Sequence, residues 1–351
     1  VAVHRHSELL RAAIGSASND YRLGGHEAPP AIMSVYLGQE LEELLENIEM
    51  SGKHKSKARG EKYSLELTTI PELPKHSTDR NRTSPFAFTG NKFEFRAVGS
   101  QQSPSLPVTV LNAIVAESLD EIVTEIEKKL GGKRPRSKGE FAEAIVPVLQ
   151  KYIAQSKAIR FAGDNYSESW EKEAKKRGLP NLHRSPEAFK ALVAPGTAKV
   201  FERILRKEEL ASRYEIMLAE YIQKTEIEVR LMLDMFRTQI LPVANQTLKN
   251  LSKGIVLFRE VTKEKKGLLA VEKAMENLGY SLDRALMLAN ELDDLRHKAL
   301  KIGNLALQAD FVADEVREKM VELRGEVDYL ESLSDDALWP LPKYRELLFF
   351  V

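Results

Sequence analysis

Asp79-Arg80-Asn81-Arg82-Thr83-Ser84-Pro85-Phe86-Ala87-Phe88-Thr89-Gly90-Asn91-Lys92-Phe93-Glu94-Phe95-Arg96 is the stretch around which the chain is organised. Its last five residues alternate as a strand does, so Lys92, Glu94 and Arg96 share one face while Phe93 and Phe95 take the other. One face is ionic and the other apolar. A carboxylate two residues from a guanidinium, preceded by Arg80 and Arg82, has the donors needed to hold a divalent metal together with polyanionic oxygens. A surface strand of mixed charge satisfies the same spacing, and spacing alone leaves both readings open.

Composition narrows the function classes. The 351 residues are enough for two domains. With 52 basic and 52 acidic residues the formal charge is zero, and bulk electrostatics points to no nucleic acid and no membrane as partner. The absence of cysteine excludes a disulfide framework and thiolate chemistry. No signal peptide and no apolar run of membrane-spanning length is visible, and a cytoplasmic location is expected.

The resemblance decides between the two readings of the central stretch. Asn81-Arg82-Thr83 followed by Phe93-Glu94-Phe95-Arg96 resembles the Asn-Arg-Ser and Arg-x-Glu-x-Arg core of glutamine synthetases. Upstream, Arg22-Leu23-Gly24-Gly25-His26-Glu27-Ala28-Pro29-Pro30 resembles the same family's Arg-Leu-x-Pro-Gly-x-Glu-Ala-Pro flap, one residue shorter, as in the type III enzymes. Ser103-Pro104-Ser105-Leu106 stands where the family has Asn-Pro-Tyr-Leu. Gly163 to Trp170, Arg177 to Leu182 and the ending from Trp339 to Phe349 are also similar to type III sequences, while Ser185 to Leu192 is similar to the family's late Ser-x-x-Glu-Ala-Leu segment. The likeness covers nearly the whole chain apart from residues 51–62.

That resemblance implies an α+β fold, mostly α overall. Residues 1–235 are expected to be the C-terminal part of the catalytic domain, with antiparallel strands packed by helices, and residues 236–351 a helical extension. The start at Val1 without methionine, in what the likeness makes mid-domain, leads to the expectation of a C-terminal piece of a longer polypeptide. Its other metal-binding glutamates and histidine, a phosphate-binding loop and a small N-terminal domain would then lie upstream. The implied reaction joins ammonia to L-glutamate at the expense of ATP, with Mg²⁺ or Mn²⁺, through a γ-glutamyl phosphate. The implied partners are those substrates and copies of the chain in a homo-oligomeric ring with shared active sites, a dodecamer by family likeness.

Roles carry over residue by residue. Glu94 matches a metal ligand, Arg96 the arginine that contacts glutamate or the transferred phosphate, and Arg82 a phosphate-binding arginine. Glu27 matches the flap glutamate that closes the site and helps deprotonate ammonium, and Arg22 the arginine that holds the substrate carboxylate. Two departures alter the phosphate contacts. The family's second arginine falls on Ala87, and Lys92 stands where an arginine often meets the nucleotide, so Arg80 becomes a candidate to share that role. Two alternatives remain: a γ-glutamyl ligase for another amine, and a non-catalytic helical assembly or regulatory protein that has kept remnants of the site.

Outside these motifs, periodicity predicts helices from Glu8 to Ser18, Gln39 to Met50, Val108 to Leu130 and Phe141 to Ala158. The third carries a stripe of Val108, Leu111, Val115, Leu119, Ile122 and Ile126, expected to pack inward, and ends at Gly131-Gly132. The fourth is expected to start with Ser137 as cap and to bend at Pro147. Strands are expected at Ala31 to Leu37 and Tyr63 to Ile70. Residues 51–62 read as a charged loop, with a phosphate-binding patch as the sharper alternative. Asp164 and Trp170 read as a cap and a core residue, Leu233, Met235 and Phe236 as core, and His297 as a surface residue. From Glu208 to Glu331 long Leu/Ala/Glu/Lys-rich segments predict an antiparallel helical hairpin or bundle.

Overall fold

A computed structural model describes residues 1–25, 28–51, 62–63, 73–74, 83–262 and 267–348. The chain is mostly helical with a small sheet, an α+β architecture. It divides into two compact units, Val1–Met217 and Leu218–Val351. Among the described residues no helix is long and apolar enough to cross a membrane.

In the first unit, β1 (Val35–Tyr36), β2 (Phe86–Phe88) and β3 (Phe93–Phe95) form a three-stranded sheet in that order. β2 and β3 are an antiparallel hairpin with Ala87 opposite Glu94 and Phe88 opposite Phe93. Gly90, at φ 96, supplies the turn conformation that side-chain-bearing residues avoid. β1 pairs with β2 in parallel, so the sheet is mixed rather than wholly antiparallel, as the long crossover between Tyr36 and Phe86 permits. The strand expected over Ala31 to Leu37 is shorter than its apolar run. Among the described residues only Val35 and Tyr36 find a full partner, while Ile32 makes an isolated bridge to Asn181.

Helices make up much of the rest of this unit. α1 (Ser7–Ala13) is followed by the close turn at Gly15 and by α2 (Ala17–Arg22), whose first turn is capped by Ser16 accepting from the Asn19 amide. Leu9, Leu10, Ala12, Ala13 and Ile14 are all buried. α3 (Gln39–Ser51) packs against α5 (Lys138–Gln155), which starts with Ser137 as cap and contains Pro147. α4 (Ser105–Lys129) ends at Gly131 and Gly132, both with positive φ.

On α4 the expected packing face is corrected. Val108, Val115 and Leu119 are 51%, 43% and 56% exposed, and Pro107, Val110, Ala113, Ile114 and Ser118 are buried instead. Both faces carry apolar residues, and the one with smaller residues lies against α1 and the short helix Ala2–Arg5. α6 (Glu168–Lys176) is capped by Ser167, and Asp164 accepts from the Tyr166 amide in the preceding turn. Trp170 is buried and stacked on Phe161, a core residue as read.

The second unit is helical. α7 (Lys207–Met235), within which the unit division falls, passes through one π-helical turn, Phe236–Ile240, into α8 (Leu241–Thr262). Pro242 has no amide hydrogen for a bond to the preceding turn, and the wider turn just before it lets the helix continue without a break. α9 (Leu269–Ala299) packs against α8 and against α10 (Arg317–Leu333). Leu278, Ala285 and Leu292 of α9 and Leu323 and Leu330 of α10 are fully buried, so the apolar stripe of this bundle is covered by its own helices. Leu233 and Phe236 are buried as expected. Polar ties cross the stripe: Arg296 donates to Glu226 at 3.0 Å and to Asp293 at 2.9 Å, and Arg237 donates to Asp293 at 3.0 Å. His297 is exposed, its ring nitrogen 2.8 Å from the Asp293 carbonyl within its own helix.

Candidate active site

The strand period places Lys92, Glu94 and Arg96 together. Arg96 donates to one Glu94 carboxylate oxygen through Nε at 3.2 Å and through Nη2 at 3.1 Å, and the Lys92 ammonium lies 3.4 Å from the other oxygen. The hydrogen bond from Arg96 holds the Glu94 carboxyl below the usual glutamate range against the opposing effect of desolvation, with Lys92 adding to the lowering. The opposite face is aromatic. Phe86 stacks on Phe93 with ring centres 5.1 Å apart, and Phe88 lies 5.2 Å from Phe93. Ala87, the departure from the family's second arginine, is buried directly across from Glu94.

Arg22, 74 residues earlier in sequence, reaches the same strand. Its Nη2 donates to the Arg96 carbonyl at 3.1 Å, and its Nη1 donates to the Ala97 carbonyl at 3.3 Å and to Asn19 Oδ1 at 3.0 Å. Its Nε and second Nη2 proton make no hydrogen bond among the described residues. Thr83, which ends the Asn-Arg-Thr motif, accepts from the Asn165 amide at 2.9 Å. Asn165 Oδ1 in turn accepts from Ser34 at 2.6 Å, so Thr83 is tied to the segment preceding α6.

The structure therefore brings Lys92, Glu94 and Arg96 together along β3, with Arg22 bonded to the main chain where that strand ends. Glu27, Arg80 and Arg82, and the charged loop of residues 51–62 apart from Ser51 and Lys62, lie outside the described residues. Sequence reading passed over Asn19, Asp20 and Arg11. Asn19 and Arg11 are buried, and Asp20 pairs with Arg11 at 2.9 Å with both side chains nearly inaccessible. The sequence signal for Asn19 and Asp20 is a polar run, Ser18-Asn19-Asp20, where the segment of helical spacing ends.

A divalent ion needs several oxygen donors. Among the described residues no group of three or more His, Asp or Glu side chains is placed to hold one, and Glu94 faces two cations. These residues alone do not fit a metal. They do suit oxygen-rich anions, because Arg96 and Lys92 place fixed positive charge on an exposed strand face.

A charged strand face on an α+β chain is the setting in which the chain is compared with known proteins. Residues 144–259 match the family described as the glutamine synthetase C-terminal domain. Over 99% of its length the chain is 38% identical to a glutamine synthetase of Bacteroides fragilis (strain YCH46), covering 48% of that protein. It is 37% identical to a type-3 glutamine synthetase of Dictyostelium discoideum and 34% identical to a glutamine synthetase of Butyrivibrio fibrisolvens, in each case over 99% of its length, covering 47% and 48% of those proteins. The chain spans about half the length of the curated relatives it matches. These similarities are to proteins named glutamine synthetase.

Proposed function

We propose that the chain is part of a type III glutamine synthetase that joins ammonia to L-glutamate with ATP. The observation that carries the reading is the Lys92, Glu94 and Arg96 face, with Arg22 tied to the same strand, in a chain similar along 99% of its length to proteins named glutamine synthetase. In this reaction the glutamate γ-carboxylate attacks the terminal phosphorus of ATP, and ADP leaves. Ammonia then attacks the acyl carbon of γ-glutamyl phosphate, and inorganic phosphate departs with the bonding electrons.

Charge accumulates on the phosphoryl oxygens, so fixed cations stabilise that step most. Arg96 has the planar fork of donors for those oxygens or for the glutamate carboxylate, and Lys92 is an exposed point charge beside it. Arg22, with Nε and one Nη2 proton directed to no described residue, holds the substrate carboxylate. Arg82, with Arg80, shares phosphate binding. Glu27 closes over the site and accepts a proton from ammonium. Glu94 as a ligand of Mg²⁺ or Mn²⁺ requires further oxygen donors from outside the described residues. Residues 1–235 act as the catalytic portion and 236–351 as an architectural extension, and the active protein is a cytoplasmic homo-oligomeric ring, a dodecamer by family likeness.

An ATP- and Mg²⁺-dependent assay of the full-length protein with ammonium and with a panel of amines tests this. Glutamine formation with ammonium preferred is expected. Preference for another amine would make the protein a different γ-glutamyl ligase, and ATP-dependent ligation of no amine would leave the non-catalytic reading.

A further inference from the structure

We infer that Asn19 is a positioning residue for this site: it sets the Arg22 guanidinium and the exit of β3 in one frame. The inference rests on the ligase reading for its kinetic consequence, though not for its geometry. Asn19 is 1% exposed, and its carboxamide is used in three directions. Nδ2 donates to the Ile14 carbonyl at 2.7 Å and to the Ala97 carbonyl at 3.0 Å, and Oδ1 accepts from Arg22 Nη1 at 3.0 Å. The side chain thus joins the end of α1, the last turn of α2 and the residue after Arg96.

Only a carboxamide offers two donors and an acceptor at this reach, whereas aspartate keeps the acceptor and loses both donors. Because Arg22 Nη1 is shared between Asn19 and the Ala97 carbonyl while Nη2 meets the Arg96 carbonyl, the plane of the guanidinium is fixed. Its remaining donors then point in a set direction before any ligand arrives. Freezing a long side chain in advance lowers the ordering cost at binding and so acts on affinity. α2 is itself held rigid. Arg11, buried beneath it, donates to Asp20 at 2.9 Å and to the Leu182 carbonyl at 2.8 Å, and Asp20 accepts from the Ser185 amide at 2.9 Å.

The test is a double-mutant cycle in the full-length enzyme, with amide hydrogen exchange alongside. Asn19→Ala is expected to raise the glutamate KM roughly tenfold with kcat changed by less than about threefold, the loss of one charge-assisted bond and its orientation. Added to Arg22→Ala, it should raise KM no further, because Asn19 acts through Arg22. Additive effects on KM in the two backgrounds would overturn the inference, since a residue that only supports the fold lowers stability equally in both. In exchange measurements Asn19→Ala is expected to speed residues 23–25 and 97–99 together, and acceleration confined to α2 would also overturn it. Asn19→Ser, which keeps a hydroxyl, serves in the same cycle if the alanine variant does not fold. A wild-type enzyme that forms no glutamine would sink the ligase reading alone, with the exchange result still deciding the role of Asn19.

Discussion

The Arg22 guanidinium donates to the main-chain carbonyl of Arg96 at 3.1 Å, so the residue that opens the Gly24-Gly25 loop is fastened to the strand that carries the charged face. The charges of β3 and the start of that loop are therefore held at a set separation.

Glu94→Ala is expected to abolish ligation in the full-length enzyme while leaving the fold intact. The Glu94 side chain is 38% exposed, and exposed substitutions usually change stability by no more than about 0.5 kcal/mol. Turnover and circular dichroism measured together check this, and near-wild-type turnover at ordinary Mg²⁺ would remove Glu94 from the site.

The Glu94 titration should depend on Arg96. The folded-state value is lowered, first by the hydrogen bond from Arg96, so the associated stabilisation is present at neutral pH and is lost as pH falls through that lowered value. In Arg96→Ala the midpoint should move up toward the ordinary glutamate range. A carbon-13 NMR titration of the side-chain carboxyl reads it, and an unmoved midpoint would mean that the Arg96 bond is not made in solution.

Gly15→Ala should destabilise the first unit by about 1–3 kcal/mol through overpacking. A Cβ added there would lie 2.3 Å from Phe189 Cε1, and Phe189 is itself fully buried with little room to retreat. Urea denaturation gives the loss. Phe189→Leu in the same chain should recover part of it, and a stability equal to wild type for the single variant would show that the turn between α1 and α2 is looser than described.

Asp20→Ala leaves the Arg11 guanidinium buried without its carboxylate, and breaking such a pair costs about 3–5 kcal/mol. Arg11→Met combined with Asp20→Ala should cost less than the two single changes added together. Strict additivity in chemical denaturation would mean that the two charges do not depend on each other.

Deletion of residues 336–351 should lower the melting temperature or the oligomer mass, because Trp339 is 8% exposed and burial of an indole stabilises substantially. Trp339→Ala alone should cost about 3–5 kcal/mol. An unaltered melting temperature together with unaltered mass by light scattering would refute docking of the tail.

By itself the sequence determined whatever depends on neighbours a few residues apart. The shared face of Lys92, Glu94 and Arg96 follows from the two-residue period of a strand, the Ser137 cap and the Gly131-Gly132 stop from local backbone chemistry, and the helices after Glu208 from their Leu and Ala spacing. Motif likeness pointed to glutamine synthetases, the name carried by the similar proteins. Tertiary structure decided which apolar face of α4 is covered, since both satisfy helical periodicity and only the neighbours offered by α1 select one. It also decided that Arg22 meets Arg96 and that Asn19 meets Ala97, pairs 74 and 78 residues apart. Such contacts arise from the closing of the whole chain, where a buried polar group takes the partner that the fold presents, and no local pattern encodes that choice.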